Sequence, residues 1–261
     1  FDNKFQILPG DSLTSTIEKS LSGAKGQYSI FVKNLKTGQI YSLNEHKEFD
    51  AASLYKLWVL SEAYNQIQDG KLKENEVLSG EIEALNEKFK IASEEAELTQ
   101  GKVSFTVANA LKQMITISHN YAAFLLAEKV KLSSVREFLE SNGFLESSIG
   151  TDGNKPKTTA YDTALFFEKL YKGEIVDSFY SKKMMDLLLK QQLNDRIPKY
   201  LPKDTRVAHK TGELGFFSHD AGVVYLEKGD YIIVVLSKTD YPPGAEERIA
   251  KISQAVYNYF Q

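Results

Sequence analysis

A serine three residues ahead of a lysine, Ser53-Leu54-Tyr55-Lys56, is the arrangement in this chain best suited to covalent chemistry. In a helix, positions i and i+3 share a face, so the lysine amine lies beside the serine hydroxyl. A hydroxyl is a weak nucleophile until a neighbouring base takes its proton. Lysine serves as that base when burial or nearby positive charge lowers its pKa. A helix N-terminus adds backbone N–H groups for a developing oxyanion.

Two further clusters fit the same chemistry. In Ser118-His119-Asn120 the hydroxyl can relay a proton to a leaving amine, and the Asn amide can hold a substrate amide through donor and acceptor together. In Lys210-Thr211-Gly212 the first two residues suit a substrate carboxylate, and the glycine lets a substrate backbone approach a strand closely. Each cluster has a decoy: Ser22-Gly23-Ala24-Lys25, Ser42-Leu43-Asn44 and Lys36-Thr37-Gly38. The decoys crowd into about two dozen residues, and Lys36-Thr37-Gly38 sits in a turn, where Lys and Gly need no functional reason.

These residues need a scaffold. The 261 residues, 42% of them hydrophobic, suffice for one large unit or two closely packed lobes. Runs 28–32 and 39–43 flank a glycine turn and read as a hairpin after a first helix ending at Ser22-Gly23. Helical periodicity covers 54–68, 106–115, 120–130, 133–142, 159–172 and 179–192. Strands return at 206–210, 216–226 and 231–237, and a last helix covers 244–259. Each β block is too small for a stable sheet alone. Joined, they give an α/β (α+β) fold with a five-stranded antiparallel sheet flanked by the terminal helices, plus an all-helical lobe. Residues 1–50 with 205–261 form the discontinuous α/β lobe and 51–204 the helical lobe of one catalytic unit. The cleft between them is the expected site.

Composition removes other classes. A net charge of −3 with scattered lysines gives no basic field for nucleic acid. Without cysteine there is no disulfide and no thiolate site, and the four histidines lack metal-ligand spacing. No metal or other cofactor is expected. The longest aliphatic run, 232–236, is too short to span a membrane.

Order, spacing and context of the three clusters resemble the penicillin-recognising serine enzymes, in particular the class A β-lactamase branch. The resemblance runs from about Tyr28 to the C-terminus and includes Thr158-Thr159-Ala160, Asp195-Arg196-Ile197 and Asp220-Ala221-Gly222. It implies a β-lactamase/transpeptidase-like fold. It implies that Ser53 is acylated, Lys56 acts as base or in a base network, and Ser118 passes the proton to the departing nitrogen. Asn120 would bind the substrate's side-chain amide, Lys210 supply positive potential, and Thr211 bind the carboxylate. Gly212 would allow close approach, and the N–H groups of Ser53 and Glu213 would form the oxyanion hole. The Glu213 side chain is read as an exposed charge, His119 as a helix-start residue, and His209 and His219 as structural.

The chain departs from the family where a Glu-x-x-Leu-Asn pattern would position the deacylating water. Residues 146–159 lack it, and Asp152 and Glu146 are the nearest carboxylates, with a turn role the plainer reading of Asp152. No obvious arginine follows Lys210 to help bind the substrate carboxylate, and Arg206 precedes it on the same strand. The resemblance therefore implies a β-lactam hydrolase, with a D-Ala-D-Ala carboxypeptidase or transpeptidase holding a long-lived acyl-enzyme as the alternative. A non-enzymatic β-lactam sensor is a third reading. The substrate is a β-lactam or a peptidoglycan stem peptide. Export is implied, the signal segment being absent from a chain that begins at Phe1, and the protein is expected to be a monomer.

Overall fold

The computed structural model describes residues 12–94, 96–150 and 154–261. Ser12 caps α1 (Leu13–Leu21), its hydroxyl accepting the Ser15 N–H. The hairpin follows as β1 (Gln27–Asn34) and β2 (Ile40–Leu43). Its turn holds Lys36-Thr37-Gly38, with the Lys36 and Thr37 N–H groups bound to Asn34 Oδ1. The short β3 (Phe49–Asp50) leads into a single 3₁₀ turn, Ala52–Tyr55, continued by α2 (Lys56–Gln68). Next come β4 (Val77–Glu81), α3 (Ile82–Lys88), β5 (Lys102–Thr106), α4 (Val107–Thr116), α5 (Asn120–Val130) and α6 (Leu132–Ser141). A two-residue β6 (Lys157–Thr158) pairs with β3. It precedes α7 (Ala160–Lys172), capped by Thr159 and ended by Gly173 in the left-handed conformation, and α8 (Ser178–Leu188). The chain closes with β7 (Val207–Leu214), β8 (Phe217–Val224), β9 (Tyr231–Lys238) and α9 (Pro242–Phe260).

The main sheet is five-stranded and antiparallel throughout, in the order β2-β1-β9-β8-β7. β9 explains why the sheet has two cores. Its residues alternate, Tyr231, Ile233 and Val235 joining Leu13 and Ile17 of α1 and Ile249, Ile252 and Val256 of α9. Ile232, Val234 and Leu236 join the helices on the opposite face. A strand covered on both faces reads as a continuous apolar run, which is what 231–236 is.

The expected five-stranded sheet and terminal helices are present. The sequence reading did not anticipate β4, α3 and β5. Both strands alternate exposed with partly covered residues, and only Leu78 among their ten residues is fully buried. Their hydrophobic signal is correspondingly faint. The expected helix over 179–192 ends at Leu188, and the strand expected at 206–210 extends to Leu214.

Candidate active site

Ser53 lies in the 3₁₀ turn that enters α2. The turn is fixed from both sides. Ala51 N–H donates to the Pro156 carbonyl, and Asp50 O accepts a hydrogen bond from His219 Nε2 of β8 at 2.8 Å. His219 Nδ1 accepts the Ser237 N–H, and burial pushes its pKa down to about 4, so the ring is neutral. Gly212 of β7 faces the same turn. A Cβ there would lie 3.2 Å from both Ala51 O and Leu54 Cγ, tighter than ordinary packing. Glycine lets the strand and the turn come this close without either having to give by a few tenths of an ångström.

Lys56, three residues on from Ser53 and the first residue of α2, is fully buried. Its Nζ donates to Ser118 O (2.6 Å), Ser118 Oγ (3.1 Å) and Asn120 Oδ1 (2.6 Å). Lys210, also fully buried, donates to Ser118 Oγ (2.9 Å) and to the Thr211 carbonyl (2.7 Å). Burial brings the Lys56 pKa to about 7, partly offset by the charge of Glu97. Lys210 is held well below the usual lysine range by burial and then by Lys56. Like charges sharing a dry site favour a free amine. Because both lysines donate to Ser118 Oγ, the hydroxyl's own proton is directed elsewhere. Ser118 adopts φ +59°, a left-handed conformation costing about 1–3 kcal/mol for a non-glycine residue. That turn carries both its carbonyl and its hydroxyl to Lys56. His119 is the N-cap of α5, its Nδ1 accepting the Ala122 N–H at 3.3 Å.

Ser53, Asn120 and Glu213 line a cleft of about 590 Å³. Its walls continue through Phe89, Ile91, Phe124 and Ile149 and past Asn154, Lys155 and Pro156. Glu97 also lines it and accepts from Asn120 Nδ2 at 2.7 Å. Sequence reasoning missed Glu97, which stands in an acidic run, 94–97, that reads as solvated surface.

Arg196, which the sequence offers only within Asp195-Arg196-Ile197, is buried next to the site strand. Its Nε donates to Ser218 Oγ, and its other nitrogens reach Asp195, Glu213 and Glu246. Burial opposes its charge, but Asp195, Asp220, Glu246 and Glu213 outweigh that cost and raise its pKa. The Glu213 carboxylate is thus exposed yet paired. Asp220 accepts the Ile197 N–H and faces His209 Nδ1 at 2.9 Å, while His209 Nε2 meets Asn194 Oδ1. Arg206 instead stacks over Tyr225.

Asp152 lies outside the described residues. Glu146 does not line the cleft. Its carboxylate binds His46 Nδ1 and the Thr159 hydroxyl, both at 2.7 Å. Among the described residues there is no His/Asp/Glu cluster that could hold a metal ion, and no helix is long and apolar enough to cross a membrane.

A turn-borne serine followed at i+3 by one of two buried lysines that share a serine hydroxyl, next to the edge strand of an antiparallel sheet, marks an active-site-serine hydrolase of the β-lactamase/transpeptidase-like fold. Residues 12–260 match the model of the beta-lactamase enzyme family, and the chain belongs to that family. It is 24% identical to the β-lactamase VEB-1 of Pseudomonas aeruginosa, over 96% of this chain and 91% of that protein. Two solved structures share the fold at 22% identity, each match covering 95% of both chains. They are a β-lactamase from Sphaerobacter thermophilus, with a TM-score of 0.83, and PBP-A, with a TM-score of 0.81.

Proposed function

We propose that the protein hydrolyses β-lactams through an acyl-enzyme at Ser53. The observation that carries this reading is the Lys56–Ser118–Lys210 cluster, whose buried Lys56 directly follows the Ser53 turn in the chain. Free Lys56 amine takes the Ser53 proton as Oγ attacks the lactam carbonyl. The N–H groups of Ser53 and Glu213 hold the oxyanion. The Ser118 hydroxyl gives its proton to the departing ring nitrogen and is resupplied by the lysines bound to it. Asn120 holds the acyl amide, while Thr211, with Lys210 behind it, takes the substrate carboxylate. Gly212 keeps the strand low enough for the substrate to lie along it. All of these residues come from one chain, which fits a monomer. The substrates lie outside the cytoplasm, which supports export.

A second reading is a peptidase acting on the peptidoglycan stem peptide, with a long-lived acyl-enzyme. One observation favours it: among the described residues of 146–157, Asn154, Lys155 and Pro156 line the cleft and the Glu146 carboxylate is engaged elsewhere. Losing a positioned base for the deacylating water slows that step by about 10²–10⁴-fold. Asp152 is our candidate for that base.

Intact-protein mass spectrometry after mixing with benzylpenicillin separates the two. Hydrolysis gives an adduct that forms and disappears as penicilloic acid accumulates, and Asp152→Asn makes it persist. The peptidase reading gives an adduct lasting hours and release of D-alanine from a stem peptide. Ser53→Ala removes the adduct in either case, and labelling that survives in this variant refutes Ser53 as nucleophile.

A further inference from the structure

Of the acids that line the cleft, Glu97 is hydrogen-bonded directly to one of the three clusters. Asn120 is a two-ended amide. Its Oδ1 accepts from Lys56 Nζ at 2.6 Å, and its Nδ2 donates to Glu97 Oε1 at 2.7 Å. The chain Lys56–Asn120–Glu97 therefore runs from a fully buried amine to an exposed carboxylate on the cleft wall. An amide turned end for end would point its NH₂ at an ammonium and its oxygen at a carboxylate, so both neighbours oppose the flip.

The position of Glu97 is itself built. Tyr121, next to Asn120 on α5, accepts the Leu98 N–H at 3.1 Å and donates to the Leu98 carbonyl at 2.7 Å. Asn86 Nδ2 of α3 donates to that carbonyl at 2.9 Å. The residue beside Glu97 is thus clamped on both backbone groups by α3 and α5. Such a clamp fixes where the Glu97 side chain begins.

We propose that Glu97 is a positioning residue for acyl transfer, fixing through Asn120 which end of the amide faces Lys56 and which faces the substrate's acyl amide. The proposal rests on the assignment of Ser53 as the acylated residue. Asn120 Nδ2 has two hydrogens. Glu97 takes one, and the other is left aimed for the carbonyl of an acyl side chain. The same carboxylate acts on Lys56 at a distance. The other titratable groups around Lys56 are Lys210 from β7 and His119 from the start of α5, with Arg196 behind Lys210. Arg196 is positive and Lys210 is held well below the usual lysine range, whereas Glu97 favours the charged form of Lys56.

Two variants separate the two effects. Glu97→Gln keeps an oxygen acceptor for Asn120 but removes the charge, and Glu97→Ala removes both. Acylation rates are measured across pH with benzylpenicillin, which has an acyl amide, and with 6-aminopenicillanic acid, which lacks one. Thermal melts confirm folding, which an exposed residue should not disturb. In both variants the acid limb of the rate should move to lower pH, by at least about 0.3 unit, because the lysine loses a neighbour that stabilised its charge. The preference for benzylpenicillin over 6-aminopenicillanic acid should survive in Glu97→Gln. It should shrink about fivefold or more in Glu97→Ala. An unmoved acid limb with an unchanged preference in Glu97→Ala overturns the proposal while leaving the Ser53 assignment intact. Failure of the wild type to label at all overturns the Ser53 assignment and takes this proposal with it.

Discussion

Each buried amine at this site is held against its own solvation. Lys56 is wholly enclosed, and its three hydrogen-bond acceptors are neutral oxygens rather than carboxylates. That environment brings its pKa to about 7, with burial the leading cause. The sign for catalysis follows. Below about pH 7 the group is an ammonium whose protons are spent on Ser118 and Asn120, so it cannot accept the Ser53 proton. Above it, the lone pair is free. Acylation by benzylpenicillin should therefore rise with pH as a single titration near 7 and then level off, read by stopped-flow or quenched mass spectrometry. A rate flat between pH 5 and 9 contradicts the base role. Lys56→Ala should cost about 10²–10⁴-fold and abolish the limb. The sequence displayed this residue well, because SxxK spacing on a helix start is a local property. It hid the roles of Arg196 and Glu97, whose partners, Asp195 apart, lie 17–50 and 23 residues away in the chain.

At the level of elements, the site depends on how closely β7 and β8 lie against each other and against the Ser53 turn. Gly222 of β8 pairs with His209 of β7, next to Lys210. A Cβ at Gly222 would stand 2.3 Å from the Ala208 carbonyl and 2.6 Å from His209 Cβ. Backbone cannot swing aside as a side-chain end can, so the strands must part. Gly222→Ala should lose at least about 2 kcal/mol in denaturant unfolding. Acylation of the folded fraction should also slow, since Lys210 moves with β7. A variant with unaltered midpoint and rate would show that the sheet absorbs the methyl group elsewhere. Glycine's place in Asp220-Ala221-Gly222 was visible in the sequence, but its reason was not. The close approach is made across strands, and one chain read alone does not show which strand lies opposite.

On the scale of the whole molecule, the sheet separates two cores, and this was only half visible in the sequence. The apolar run at 231–236 and the terminal helices announced a covered sheet. The split of β9, with Tyr231, Ile233 and Val235 on one side and Ile232, Val234 and Leu236 on the other, required the strand order. The small pairings β4–β5 and β3–β6 were not visible, having little apolar surface to mark them. The two-core arrangement separates stability from chemistry. Ile17 of α1 is fully buried and belongs to the core shared with α9, whereas Leu54, Leu57 and Trp58 beside the serine belong to the other. Ile17→Ala removes buried methyl groups and leaves a cavity, at a cost of about 2–4 kcal/mol. For a domain with about 5–15 kcal/mol in total, that is a large fraction. The lysine cluster lies across the sheet from the cavity, so its hydrogen bonds need not change. Denaturant titration should show the loss. The acylation rate at 25 °C, where the variant is still folded, should stay within about twofold of wild type. An acylation rate that falls in step with stability would mean that α1 and α9 hold β7 in register for the site, and that the sheet transmits packing from one core to the other.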